Sequence, residues 1–197
     1  MTILVITTGG TIGAMPYKDL KHPPRITTMP GKGQDFVRSA LQKLSNFKTR
    51  SVSHEMRDSN NMDNAYRQGI LDIIKNAPET AAIITQGTDA LLETADYFYR
   101  RLATDLVLQK KTVIMTGAMV PLSCGAESEG MGNLSFALKS LSNGMLQHGI
   151  YIVLSDYQDE EAKSGWAPKL YFYKPNTYKK IYEPEDQRHN RLQRIGG

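Results

Sequence analysis

The chain has 197 residues, of which 40% are hydrophobic and 22% are charged, and this favours one well-cored globular domain over a disordered or fibrous chain. Its apolar runs fall well short of the roughly 20 residues that cross a bilayer, and its N-terminus lacks the features of a signal peptide, so we predict no membrane association. The single cysteine, Cys124, cannot form an internal disulfide, and a cytoplasmic location is therefore expected.

The formal net charge of +4 is concentrated at the C-terminal end. From Lys174 onward six basic residues stand against three acidic ones, which leaves +3 in this segment. A basic tail over residues 174–197 is compatible with an acidic partner or nucleic acid, but such segments are more often simply solvated. We therefore predict no nucleic-acid binding.

Five strand-like runs alternate with helical patterns along the chain. The strands are predicted at Ile3–Ile6, Lys48–Ser53, Ala81–Thr85, Thr112–Thr116 and Ile150–Leu154, and the second of these alternates like an edge strand. Helices are predicted over Phe36–Leu44, over Ala65–Ile74 after an N-cap at Asp63, from about Asp89 to Ala103, and from about Met131 to Ser142. This order predicts a single α/β domain over residues 1–197, with a doubly wound, flavodoxin-like, mostly parallel sheet and helices on both faces.

Two stretches lack this regularity. Residues 14–33 contain prolines, glycines and few aliphatic residues, and they are expected to form a mobile binding loop or lid, or to be disordered. After Asp156 the pattern becomes aromatic, basic and broken by proline, with only a possible short strand at Leu170–Tyr173.

Small and polar residues follow every predicted strand, where ligands bind in doubly wound sheets. These segments are Gly9-Gly10-Thr11, Arg57–Met62, Gln86–Asp89, Gly117–Met119 and the stretch from Asp156 to Lys163. The paired glycines remove every Cβ from the first turn, so a ligand or another backbone can approach closely. Alternatively, Thr8 or Thr11 merely caps a tight turn.

Rival sites find little support. The first turn lacks the spacing of a dinucleotide or phosphate loop, and the four histidines show no metal-ligand pattern. We predict no metal and no cofactor.

Four collinear motifs give the chain a resemblance to the bacterial-type L-asparaginase family. The family's T-G-G-T-I and G-T-D motifs are similar to Thr8–Ile12 and Gly87–Asp89, and its D-S-x-x-M and G-A-M segments to Asp58–Met62 and Gly117–Met119. The resemblance runs from about Ile3 to Leu154. Most members have a second, C-terminal domain, so the chain looks like a short, single-domain member.

The resemblance implies a threonine nucleophile. Thr11 would attack the side-chain amide carbon to form an acyl-enzyme, and a threonine hydroxyl needs a neighbouring group to take its proton. A tyrosine of the mobile loop assists in the family, and Tyr17 is the one tyrosine in residues 14–33. Tyr17 is therefore the candidate, with an ordinary surface tyrosine as the alternative.

The resemblance also implies the other site residues. Thr88 would hold the attacking group and Asp89 would pair with a substrate α-ammonium, although both could simply cap the following helix. Ser59 and Asn60 would receive the α-carboxylate and amine, although the same residues are good turn formers. Backbone groups at Gly10, Gly87 and Ala118 would bind the substrate, with the Ala118 carbonyl on the amide nitrogen.

Three departures from the family pattern stand out. The family's site lysine falls by spacing near Trp166, and we choose Lys163 over Lys169 because Glu160–Lys163 resembles the approach to it in short members. Gln86 stands where most members have histidine, and Asn60 where many have glutamine. Either difference could alter substrate preference.

The resemblance implies an amidohydrolase that converts L-asparagine to L-aspartate and ammonia, with L-glutamine as an additional candidate substrate. It also implies a homo-oligomer, a dimer or a tetramer. Two alternatives stay open: a non-catalytic module that binds an amino acid, and a subunit associated with an amidotransferase. Ammonia release from asparagine separates the enzyme from the binding module.

Overall fold

A computed structural model of the chain describes residues 1–17, 25–27, 32–157, 166–174 and 193–194. The strands are β1 (Ile3–Thr7), β2 (Met15–Tyr17), β3 (Arg25–Thr27), β4 (Thr49–Ser53), β5 (Ala81–Thr85), β6 (Thr112–Thr116), β7 (Gly149–Tyr157), β8 (Trp166–Phe172) and β9 (Gln193–Arg194). The α-helices are α1 (Lys32–Lys43), α2 (Asn64–Asn76), α3 (Leu91–Leu102) and α4 (Gly130–Ser142).

One mostly parallel sheet organises the described residues. Its strands lie in the order β4-β1-β5-β6-β7-β8-β9. The first five are parallel to one another, whereas β8 and β9 are antiparallel to their neighbours. The predicted doubly wound α/β fold is confirmed, and β4 lies at the edge of the sheet as its alternating sequence predicted.

Each face of the sheet is covered by two helices. The amphipathic helices α2 and α3 pack on one face, and their apolar side chains share a cluster with Leu4, Ile84 and Met115. On the other face α1 and α4 pack against Val5 and Ile83. Every residue of β1, β5 and β6 is buried, which explains why their sequences consist mainly of apolar residues.

The helix starts differ in how well the sequence predicted them. The predicted N-cap of α2 is confirmed, because the carboxylate of Asp63 accepts a 2.7 Å hydrogen bond from the backbone N–H of Tyr66. The prediction that α3 starts at Asp89 is wrong by two residues. Its N-cap is Ala90, which has no side-chain capping bond.

Short strands occupy both stretches that the sequence left irregular. Within residues 14–33, β2 and β3 form an antiparallel pair, while the mobility of this segment stays a prediction. At the other end, β8 starts at Trp166 rather than Leu170 and pairs along its whole length with β7. Pro168 within β8 weakened its signature as a strand. Apart from Lys174 and β9, the predicted tail lies outside the described residues.

Candidate active site at the strand ends

The carboxyl ends of β1 and β5 mark the point where the strand order reverses. The connection from β1 leads to β4 on one side, and the chain from β5 continues to β6 and β7 on the other. Loops diverge at such a point and leave a crevice above the sheet. The turns that follow β1 and β5 therefore lie where a doubly wound sheet binds its ligands.

Glycines allow the turn after β1 to touch two neighbouring turns through backbone alone. Gly9 and Gly10 have φ angles of 109° and 79°, which other residues rarely adopt. A Cβ at Gly10 would lie 2.0 Å from the backbone nitrogen of Gly87, and one at Gly9 would lie 2.5 Å from the carbonyl oxygen of Arg57. Side chains at these glycines would force the turns apart.

Two more glycines complete the convergence. A Cβ at Gly87 would lie 2.5 Å from the Ser59 hydroxyl, and one at Gly117 would lie 2.7 Å from the carbonyl oxygen of Gln86. The turns over residues 8–13, 57–62, 86–90 and 117–120 thus meet at one edge of the sheet, and we call them the four-turn cluster. These turns contain eight of the ten residues singled out from the sequence.

Ser59, Asn60 and Asp89 link two turns of the cluster. The Asn60 amide Nδ2 donates a 3.1 Å hydrogen bond to Oδ2 of Asp89, and both side chains are exposed. The buried Ser59 hydroxyl lies 3.4 Å from the backbone N–H of Ala90 and accepts from it. Asp58 caps the short helical turn at Ser59–Asn61 through a 2.9 Å bond from the N–H of Asn60. An ammonium group above the Asp89 carboxylate would also meet polar groups of the neighbouring turn.

The threonines of the cluster serve different purposes. Thr8 is buried and its hydroxyl donates to the carbonyl of Thr85 at 2.9 Å, so it ties β1 to β5. Thr11 is half-buried and is the first residue of a turn of 3-10 helix that follows Gly10. The half-buried Thr88 directs its hydroxyl towards the thioether of Met119, with 3.4 Å between Oγ1 and Sδ.

Side chains near the start of α4 hold the turn 117–120. The buried carboxylate of Glu129 accepts from the backbone N–H groups of Met119 and Val120. Asn133 donates a 2.9 Å hydrogen bond to the carbonyl of Gly117. Sequence reasoning missed Glu129 and Asn133. The available signal was the presence of these two polar residues at the start of the helix predicted from about Met131.

Sequence reasoning also missed Tyr66, because its position in the sequence pattern of α2 is that of an ordinary core residue. Its hydroxyl contacts the carbonyl oxygens of Thr8, at 3.1 Å, and of Glu55, and the Arg57 guanidinium stacks 4.6 Å from its ring centre. Burial raises the pKa of Tyr66 to about 12. Tyr66 is therefore a neutral donor that fixes the start of the turn after β1.

Gln86 is fully buried directly below the turn that carries Thr88. Its amide nitrogen lies 3.3 Å from the Gly87 carbonyl and 3.4 Å from the Thr94 hydroxyl. Its Oε1 has no hydrogen-bond partner among the described residues. The side chain thus supports this turn from the α3 side.

The remaining predicted residues are less defined. Tyr17 lies in β2, next to Arg25 of β3, and Lys163 lies outside the described residues. The rival lysine, Lys169, lies on β8 opposite Leu154. Among the described residues no group of His, Cys, Asp and Glu could hold a metal ion, and no helix is long and apolar enough to span a membrane.

Comparisons with known proteins identify the family and related folds. Residues 2–172 match the family model described as Asparaginase, N-terminal. The thermostable L-asparaginase from Thermococcus kodakarensis is similar in structure, with a TM-score of 0.59 and 21% identity over 87% of this chain and 46% of its own. L-asparaginase I from Vibrio cholerae O1 biovar eltor str. N16961 gives a TM-score of 0.62 and 20% identity over 85% of this chain and 50% of its own.

These structural matches are informative about fold alone at such identities. The chain spans about half the length of the two solved structures that it matches. No curated protein sequence matches it.

Proposed function

Because the chain belongs to the asparaginase family, through its N-terminal domain over residues 2–172, we propose that the four-turn cluster hydrolyses the side-chain amide of L-asparagine. The products are L-aspartate and ammonia. The observation that carries this proposal is the close approach of Gly10 to Gly87. It brings the turn that begins with Thr11 against the turn that carries Thr88 and Asp89.

The reaction starts with attack by the Thr11 hydroxyl on the amide carbon. The hydroxyl proton passes towards the departing nitrogen, the C–N bond breaks, and ammonia leaves an ester on Thr11. Water then hydrolyses this ester, releasing aspartate and restoring the hydroxyl. Because a threonine hydroxyl is a weak nucleophile on its own, Thr88, Lys163 and Tyr17 are proposed to take up and return the proton.

Substrate recognition follows from the polar groups around the two turns. The Asp89 carboxylate, already oriented by Asn60, binds the α-ammonium group, and Ser59 receives the α-carboxylate. The Ala118 carbonyl accepts from the amide nitrogen. Backbone N–H groups at the turns of Gly10 and Gly87 stabilise the oxyanion, whose charge develops in the transition state.

The proposal also covers a second substrate, cofactors and the oligomeric state. L-Glutamine is longer by one methylene, which typically changes discrimination by only about 1–3 kcal/mol, so we propose it as a second substrate. No cofactor or metal takes part. We also propose that the chain acts in the cytoplasm as a homo-oligomer, in which a neighbouring subunit helps to close the pocket.

Ammonia release from L-asparagine by the purified protein tests the proposal. Thr11→Ala and Thr88→Ala should each lower kcat by about a thousandfold, because each removes a group of the proposed relay. Thr80→Ala is the matched control, since Thr80 is exposed at the opposite end of β5. It should retain wild-type activity.

The second candidate is a non-catalytic module that binds an amino acid. Measurements on the same purified protein distinguish it from the hydrolase. If calorimetry detects L-asparagine binding while the wild type releases no ammonia, the hydrolase proposal fails. If both threonine variants retain full activity in a folded protein, the proposed nucleophile is wrong.

A further inference from the structure

The turn 117–120 is held from outside by a buried carboxylate. Glu129 is 4% exposed, and its two oxygens accept from the N–H groups of Met119 and, at 3.2 Å, Val120. Charge-assisted hydrogen bonds of this kind are roughly twice as strong as neutral ones. Glu129 is also the N-cap of α4, where the helix dipole stabilises a negative charge.

Two further side chains hold the same turn. Asn133 donates to the Gly117 carbonyl at 2.9 Å, and its own Oδ1 accepts from the Ser155 hydroxyl at 2.7 Å. The Ser128 hydroxyl donates to the Val120 carbonyl at 2.7 Å. The peptide groups on both sides of Ala118 are therefore fixed by groups at the start of α4.

Ala118 is the exception within this turn. The residue is 1% exposed, yet its carbonyl accepts no hydrogen bond from the part of the chain that the structure describes. Buried backbone carbonyls are almost always paired. A carbonyl that is fixed on both sides and given no internal partner is a suitable acceptor for a ligand N–H.

We propose that Glu129 is a positioning residue, which presets the Ala118 carbonyl for the amide N–H of the substrate by holding the N–H groups of Met119 and Val120. This inference rests on the proposed function and assigns to that site a residue outside the four-turn cluster. Glu129 touches neither the substrate nor the nucleophile. Its contribution is selective for substrates that carry an N–H group.

Glu129→Gln tests the inference with two substrates of similar shape. Glutamine keeps the side-chain size, but one of its two terminal groups cannot accept a hydrogen bond. L-Asparagine has an amide N–H, whereas L-aspartate β-methyl ester has none at the same position. We expect kcat/KM for asparagine to fall about tenfold more than kcat/KM for the ester.

Glu127→Gln is the matched control, because Glu127 is exposed two residues earlier and should leave both values unchanged. If Glu129 had a merely structural role, its substitution would lower kcat/KM for both substrates by the same factor. That result overturns the inference. If Glu129→Gln does not fold, Ser128→Ala loosens the same turn and should give the same selective loss, smaller in size.

Amide hydrogen exchange supplies a readout that does not depend on turnover. In Glu129→Gln the amides of Met119 and Val120 should exchange at least about tenfold faster, and in Glu127→Gln they should not. Unchanged protection in the first variant overturns the role of Glu129. A wild type that hydrolyses neither compound instead overturns the proposed function, and exchange then still decides whether Glu129 holds the turn.

Discussion

Gly10→Ala should damage both the stability and the activity of this protein. The backbone at Gly10 has φ 79° and ψ 176°, a conformation that is essentially restricted to glycine. A Cβ there would lie 2.0 Å from the nitrogen of Gly87 and 2.5 Å from the carbonyl carbon of Gln86. Both are backbone atoms, so no side-chain rotation can relieve the overlap.

The magnitude follows from these contacts. Ordinary van der Waals contact begins at 3.4 Å, so the two turns must separate by 3.4 − 2.0 = 1.4 Å. The disfavoured backbone conformation costs about 1–3 kcal/mol, and overpacking a close contact costs about 1–3 kcal/mol more. We therefore expect a loss of about 2–6 kcal/mol in the free energy of unfolding. A displacement of about 1 Å near reacting groups lowers the rate by about a hundredfold.

Urea unfolding and ammonia release measure the two effects separately. The control is Gly132→Ala, because Gly132 lies in α4 and a Cβ there meets nothing within 4 Å. That variant should be more stable than wild type by about 0.5–1 kcal/mol, the gain in helix propensity. The reasoning is refuted if Gly10→Ala unfolds at the wild-type urea concentration and keeps its activity.

Three more perturbations test separate parts of the structure. Tyr66→Phe removes the hydroxyl that anchors the turn after β1, and should lower the free energy of unfolding by about 1 kcal/mol in urea titrations; unchanged stability contradicts the anchor. The hydrogen bond from Arg50 lowers the pKa of the Glu79 carboxyl below its usual 4.5, so this pair stabilises the fold above about pH 4.5 and the contribution is lost on acidification. Glu79→Gln should therefore lower the urea midpoint at pH 7 and narrow its gap to wild type as the pH falls below 4.5; a constant gap contradicts this. Met119 is 60% exposed beside a proposed catalytic hydroxyl, so peroxide should inactivate wild type by forming a polar sulfoxide. Met119→Leu should resist that loss, whereas Met145→Leu, at an 83% exposed methionine elsewhere, should not.

The central strands were predictable because their burial leaves a strong local signature. β1, β5 and β6 are covered on both faces, so each is an unbroken run of apolar or β-branched residues. β8 was only partly predicted, since Pro168 interrupts a run whose pairing with β7 is specified by tertiary structure. The start of α3 was misplaced, because Thr88 and Asp89 are typical N-cap residues whereas the N-cap here is Ala90.

The residues that line the turns were easier to find than those that hold them. Thr88 and Asp89 lie in the turn that follows β5, and this position alone predicts that they lie at the ligand-binding edge of the sheet. Glu129 and Tyr66 instead reach the turns from helices. Their contacts, with the N–H of Met119 and the carbonyl of Thr8, depend on how those helices pack, and no local pattern in the sequence specifies that.

The placement of the two proposed catalytic hydroxyls depends on the sheet more than on the helices. β1 and β5 are hydrogen-bonded neighbours, so their ends stay about 4.8 Å apart, and Thr8 reinforces this through its bond to Thr85. A cavity in the α1 or α4 core would lower stability but leave that strand pairing intact. A side chain at Gly10 acts between the two turns themselves. Core substitutions should therefore reduce only the amount of folded protein, whereas substitutions at this glycine should also reduce the activity of each folded molecule.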